Sequence, residues 1–198
     1  MFHPLVVGVD LSLTSCGIAR WNPSALWLGT IVADPKVTGL MRLRQLRTRV
    51  IANCRGADLI VLEALPPANR IAKSAGLNER AGLYFMVLDR LHELGLRYAE
   101  VQPTQLKGYA LGKGAGADTG KTAVTVAVVK RYHAEPRNDD EADACVLAAM
   151  GRHFLGMPPA PVPELHKKWL TAVRWPEGRR FREFEDGDED AYARERRA

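Results

Sequence analysis

The chain has 198 residues, 46% of them hydrophobic, and a formal net charge of +5. That is one domain of ordinary size, or one domain with a tail, and enough apolar material for a real core. No run of about 18 apolar residues occurs, which excludes a transmembrane helix, and three isolated cysteines without a C-x-x-C pair argue against a zinc site or a disulfide framework.

The start, Met1-Phe2-His3-Pro4, lacks a basic stretch leading into a long apolar core, so no secretory leader is expected. With reduced cysteines, the expected compartment is the cytoplasm. Charge is uneven. From Glu177 to Ala198 there are eight acidic and six basic residues, which leaves the preceding body more basic than the whole. A basic body fits a polyanionic partner, and equally a solvated basic surface. The tail is dense in both signs and poor in aliphatics, the composition of a disordered or loosely helical segment.

Residues 5–10 read as a fully buried strand. Residues 16–21 and 26–32 read as two more around the turn Asn22-Pro23-Ser24, completing an antiparallel meander. From Thr38 to Cys54, Leu40, Leu43, Leu46 and Val50 recur at helical spacing with arginines between them. Residues 57–65 form a continuous apolar run, as in a central strand covered on both faces. Leu65-Pro66-Pro67-Ala68 breaks the chain, and a helix follows over 77–94, ending at Gly95. A short strand spans 98–101. A short helix over 104–110 is expected to be capped by Thr104. A glycine-rich loop runs from Gly112 to Asp118, then helices over 119–133 and 139–154. The proline-rich stretch 157–163 reads as a linker that closes a compact domain of residues 1–156, with residues 157–198 as linker and charged tail. Trp169 and Trp175 are expected to dock that segment on the body. The element order predicts an α/β layered domain with a mixed sheet.

Four acids stand out. Asp10 ends the first apolar run and Glu63 ends that of residues 59–62. Asp140 and Asp143 lie three apart at the start of an apolar helix. A carboxylate at the end of a buried strand is costly without a compensating cation or donor, and four together repel one another unless metal is bound. That pattern suggests a two-cation site of the kind that hydrolyses phosphodiesters. Each acid also has a plainer reading. Asp140 and Asp143 can serve the helix dipole or the N-cap, as Asp139 and Glu141 are expected to do. Asp10 can cap a turn, and Glu63 can close a salt bridge. Ala115 to Thr122 is similar to a phosphate-binding P-loop but fails it, because the first glycine falls on Ala115 and no buried strand precedes. Lys107, Lys113, Lys121, Lys130 and Arg131 form one possible basic stripe; Arg70, Lys73 and Arg80 form another.

Together these residues resemble the RuvC family of Holliday junction resolvases within the ribonuclease H-like superfamily, over roughly residues 5–155. Val7-Gly8-Val9-Asp10 with Thr14, Gly17 and Ile18 is similar to its first hairpin. Ile60-Val61-Leu62-Glu63 resembles its second acidic strand, and Ala68-Asn69 through Arg80-Ala81-Gly82 its next helix. Val101-Gln102-Pro103-Thr104-Gln105-Leu106-Lys107 and Gly120-Lys121 resemble its lysine-bearing segments. Asp140-Glu141-Ala142-Asp143-Ala144 is similar to its D-x-A-D-A signature.

The resemblance implies a mixed five-stranded sheet with helices on both faces. It implies an endodeoxyribonuclease whose catalytic and metal residues are Asp10, Glu63, Asp140 and Asp143, using two Mg2+ or Mn2+ ions. Lys121 would offset charge on the phosphate, with Lys107, Lys113, Arg70 and Lys73 as further DNA contacts. The implied partners are four-way junctions, forks or flaps, bound by a homodimer, with no membrane. Leu11-Ser12 stands where bacterial members carry Pro-Gly, and Leu65-Pro66-Pro67 where they carry junction-probing aromatics. These departures fit a divergent member, such as a phage-encoded branched-DNA nuclease. A non-cutting DNA-binding module and an RNA-processing nuclease of the same fold are the alternatives. An actin-like kinase, which shares the first hairpin, needs two such domains and more chain than this.

Overall fold

The computed structural model describes residues 4–65, 76–112 and 122–177. Strands β1 (Val6–Asp10), β2 (Ser15–Trp21) and β3 (Leu26–Val32) form the expected meander. Helix α1 (Gly39–Cys54) then crosses the sheet, so β4 (Leu59–Glu63) pairs in parallel with β1. Helix α2 (Leu77–Glu93) makes a second crossover, and β5 (Tyr98–Val101) pairs in parallel with β4. The sheet order is β3-β2-β1-β4-β5, five strands and mixed, as expected. Helices α3 (Pro103–Leu111), α4 (Thr122–Tyr132), α5 (Asp139–Phe154) and α6 (Glu164–Thr171) complete the described elements. Among them, no helix is long and apolar enough to cross a membrane.

Side chains alternate across a strand with a period of two, and that alternation divides the core. Val7 and Val9 of β1, Cys16 and Ile18 of β2, and Ile60 and Leu62 of β4 pack against Leu43, Leu46 and Val50 of α1 and Leu83, Val87 and Leu91 of α2. Val6, Ala19, Leu59, Val61, Ala99 and Val101 lie on the opposite face, under α3, α4 and α5. Helices therefore cover both faces, and the central strands are apolar on both sides.

Helix α5 is buried along nearly its whole length. It lies close on the sheet because two glycines let it. A Cβ added to Gly17 would stand 1.9 Å from the Asp140 carbonyl oxygen, and one added to Gly8 would stand 2.0 Å from that of Ala144. Both obstacles are helix backbone, which cannot swing away. Gly17→Ala is therefore expected to destabilise the fold by about 3 kcal/mol or more, at the upper end for overpacking, read as a fall in the thermal midpoint. A midpoint equal to wild type would contradict this packing.

Three details differ from expectation. The short helix α3 starts at Pro103 and is capped by Gln102, whose backbone N–H donates to Gln105 Oε1 at 2.7 Å, rather than by Thr104. Asn138 is the N-cap of α5, accepting from the Glu141 N–H at 2.9 Å. The compact body also continues past residue 156. Helix α6 lays Trp169 over Gly108, where a Cβ would meet the indole at 2.3 Å. Trp175 stacks on Phe154 with ring centroids 4.5 Å apart, and the backbone at Arg174 forms an antiparallel β-bridge with that of Glu100 in β5. The two tryptophans dock as expected, and helix α6, which carries Trp169, extends the packed unit in spite of the prolines before it. The cysteines Cys16, Cys54 and Cys145 are free and buried.

Candidate active site

The strand alternation also sorts the polar residues. Asp10 follows Val6 and Gly8 in parity, and Glu63 follows Leu59 and Val61, so both carboxylates project on the α5 face of the sheet. The register Val9↔Leu62 makes them neighbours at the ends of two parallel strands. Ser15 and Gly17 of β2 and Thr30 of β3 share that face by the same rule. Above it lies the N-terminal end of α5, which carries Asp140 in its first turn and Asp143 just after it, on one side of the helix. The Ser15 hydroxyl donates to Asp140 Oδ2. Three distant segments thus bring four carboxylates to one end of the sheet.

Their charges act on one another. Asp10 is only 9% exposed. Burial holds its carboxyl well above the usual carboxylate range; Glu63, which hydrogen-bonds to it, and Asp140 push it further, while Arg80 opposes them. Glu63 is raised too, by burial first and then by Asp143, against the Asp10 hydrogen bond and the charges of Lys107 and Arg80. Burial and mutual repulsion therefore both disfavour negative charge on the Asp10–Glu63 pair. Burial and the Asp10 charge push Asp143 up to about 7, with Lys107 opposing and Asp139 and Asp140 adding to the rise.

This donor set is oxygen-only, anionic and under-compensated, which suits Mg2+ or Mn2+ and not the softer metals. Among the described residues no three His, Cys, Asp or Glu side chains form a ready-made ligand cage.

Of the other residues singled out from the sequence, Lys107 stands on α3, half-buried, and acts on both Glu63 and Asp143. Arg70, Lys73, Lys113 and Lys121 lie outside the described residues, as do the glycine-rich loop after Gly112, the segment 66–75 and the tail after Glu177. Two residues emerge that sequence reasoning placed elsewhere. Arg80, assigned to a general basic stripe, acts directly on Asp10 and Glu63. Glu141, assigned to the helix dipole, is fully buried and ion-paired to Arg137 at 2.6 Å. The signal for Glu141 lies in its spacing: it follows Arg137 at i, i+4 and precedes Ala142, at the edge of the apolar stripe.

Fold and site together define an α/β domain with an acidic cluster at the end of its central strands. No family model matches the chain, and no curated protein matches it. Solved structures do. The Thermus thermophilus RuvC structure aligns at a TM-score of 0.58 with 20% identity, over 77% of this chain and 97% of that one. T. thermophilus RuvC in complex with a Holliday junction substrate aligns at 0.59 with 18% identity, over 81% and 100%. The fowlpox virus Holliday junction resolvase aligns at 0.52 with 12% identity, over 76% and 99%. At these identities the likeness establishes the fold: the chain has the ribonuclease H-like fold of RuvC, in agreement with the sequence-based expectation.

Proposed function

We propose that this protein is a metal-dependent, structure-selective endonuclease that cleaves Holliday junctions and other branched DNA by phosphodiester hydrolysis. The observation that carries this reading is the convergence of Asp10, Glu63, Asp140 and Asp143 at one end of a sheet whose fold is that of junction resolvases. These four side chains would hold two Mg2+ or Mn2+ ions. Bound divalent cations supply Lewis acidity toward the scissile phosphodiester.

The chain's own residues do the rest. Asp10 occupies the centre of the cluster, in electrostatic contact with the other three acids. Its burial lets its charge act at low effective dielectric. Ser15 orients Asp140 through its hydroxyl. Lys107 and Arg80 set positive charge beside the carboxylates, where a phosphate backbone would be met by charge-assisted bonds. Lys121, Lys113, Arg70 and Lys73 belong to the proposed DNA contacts, and the basic body favours a polyanion. Two symmetric nicks in a four-way junction require two such sites, so the working assembly is a homodimer.

The test is an end-labelled four-way junction incubated with Mg2+ or Mn2+, beside fork, flap and linear duplex DNA and an RNA junction. Nicked products from branched DNA, dependent on the cation and faster than from linear duplex, are expected. Tight binding with no product under either cation would leave a DNA-binding module. Faster cutting of the RNA junction would make the protein an RNA-processing nuclease.

A further inference from the structure

Glu141 sits between two of the proposed ligands, Asp140 and Asp143, yet turns the other way and is 0% exposed. A buried carboxylate survives only when donors surround it, and here they do. The Thr30 hydroxyl donates to Glu141 Oε1 at 2.8 Å. The Arg137 backbone N–H donates to Oε2 at 2.9 Å, and its guanidinium Nη2 donates to Oε1 at 2.6 Å. Asn138 closes the ring, with Nδ2 donating to Thr30 Oγ1 at 2.9 Å and Oδ1 accepting from the Glu141 N–H.

A helix cap alone does not need this. Asn138 already caps α5. The Thr30 bond instead ties the first helical turn to strand β3, 111 residues away in sequence. Together with the close approach at Gly17 and the Ser15 bond to Asp140, it pins that turn to the sheet at three places.

We propose that Glu141, held by Thr30 and Arg137, is a positioning residue that sets where Asp140 and Asp143 stand over Asp10, and so sets the affinity of the site for divalent cations. The inference rests on the nuclease reading. Glu141 touches neither cation nor DNA. It acts through the backbone of one helical turn, whose slackening spreads the carboxylates. Partners one step removed from metal ligands typically change metal affinity by about 10–100-fold.

The experiment is Mn2+ binding to the full-length, DNA-free protein by isothermal titration calorimetry, well below the unfolding transition. Thr30→Val, Arg137→Gln and Glu141→Gln are compared with Leu91→Ala. The last removes a fully buried side chain on the other face of the sheet and lowers stability without touching the network. Arg137 is 72% exposed, so its substitution keeps the test alive if Glu141→Gln folds poorly. Thr30→Val and Arg137→Gln should weaken Mn2+ binding several-fold and Glu141→Gln by about 10-fold or more. Leu91→Ala should bind like wild type despite its lower thermal midpoint, and junction binding in EDTA should be unchanged throughout. Network variants that bind Mn2+ like wild type, or weaken only as Leu91→Ala does, would overturn the positioning role and leave the nuclease reading standing. A wild-type protein that binds no Mn2+ would overturn both.

Discussion

Asp10→Asn and Asp143→Asn are each expected to abolish cleavage of a four-way junction while leaving its binding intact. Asparagine keeps the shape of the side chain and one acceptor oxygen, but not the negative charge on which cation binding depends. Asp10 is the more sensitive position, because it is buried and in electrostatic contact with Glu63, Asp140 and Asp143. A rate loss on the order of 10³-fold or more is expected, at least that of removing one charge-stabilising group from an active site. Binding measured by gel shift in EDTA should hold or tighten, since each variant takes one negative charge away from the DNA phosphates. Single-turnover cleavage by either variant near the wild-type rate would refute the assignment of the site.

The second large effect is on stability, and it runs opposite to activity. Burial and the Asp10 charge raise the Asp143 pKa to about 7 in the fold, far above the ordinary range of an aspartate. The folded protein therefore binds the proton more tightly than the unfolded chain does. The resulting stabilisation is fully present below the unfolded pKa and is lost as pH rises through about 7. The Asp10–Glu63 pair, raised for the same reasons, adds to the loss. In EDTA the thermal midpoint should fall from about pH 5 to about pH 8. Mg2+ or Mn2+ should restore it increasingly as pH rises, because cations and protons compete for the same oxygens.

Asp143→Asn should make the metal-free protein more stable than wild type at about pH 8, by on the order of 2–4 kcal/mol, or about 5–10 °C in a chain of this size. It should also flatten the pH dependence. The site would then be an acidic cluster kept at a cost in metal-free stability, as expected where function and stability conflict. A metal-free midpoint that rises over the same pH interval, or an Asp143→Asn protein less stable than wild type at its alkaline end, would contradict the electrostatics of the cluster.

Much of this architecture is legible in the order of residues alone. The strands at 5–10, 16–21, 26–32 and 98–101 and the helices at 38–54, 77–94 and 139–154 follow from periodicity and turn residues, and their observed bounds differ by a residue or two at most. Parity also carries information. Counting by twos from Val6 and Leu59 puts Asp10 and Glu63 on one face of adjacent strands. The proline-rich run 157–163 misleads, because prolines mark an irregular connection without specifying how the chain beyond them packs. Helix α6 is short and half-exposed, and it belongs to the body through Trp169 on Gly108 and Trp175 on Phe154. Pairings over such distances leave no local pattern.

The residue types and their order determined by themselves that this is a mixed α/β sheet with two acid-tipped strands and an acid-led apolar helix. Those features are local, written in periods of two and 3.6. Tertiary structure alone decided how strongly these acids act on one another and which cations lie beside them. Asp143 joins Asp10, and Arg80 and Lys107 come to flank them. Glu141, one residue from Asp140, turns away to bind Thr30 and Arg137. Neighbours in sequence part because a helix turns about 100° per residue. Segments more than a hundred residues apart meet because two glycines in the sheet leave room for a helix backbone to rest against it.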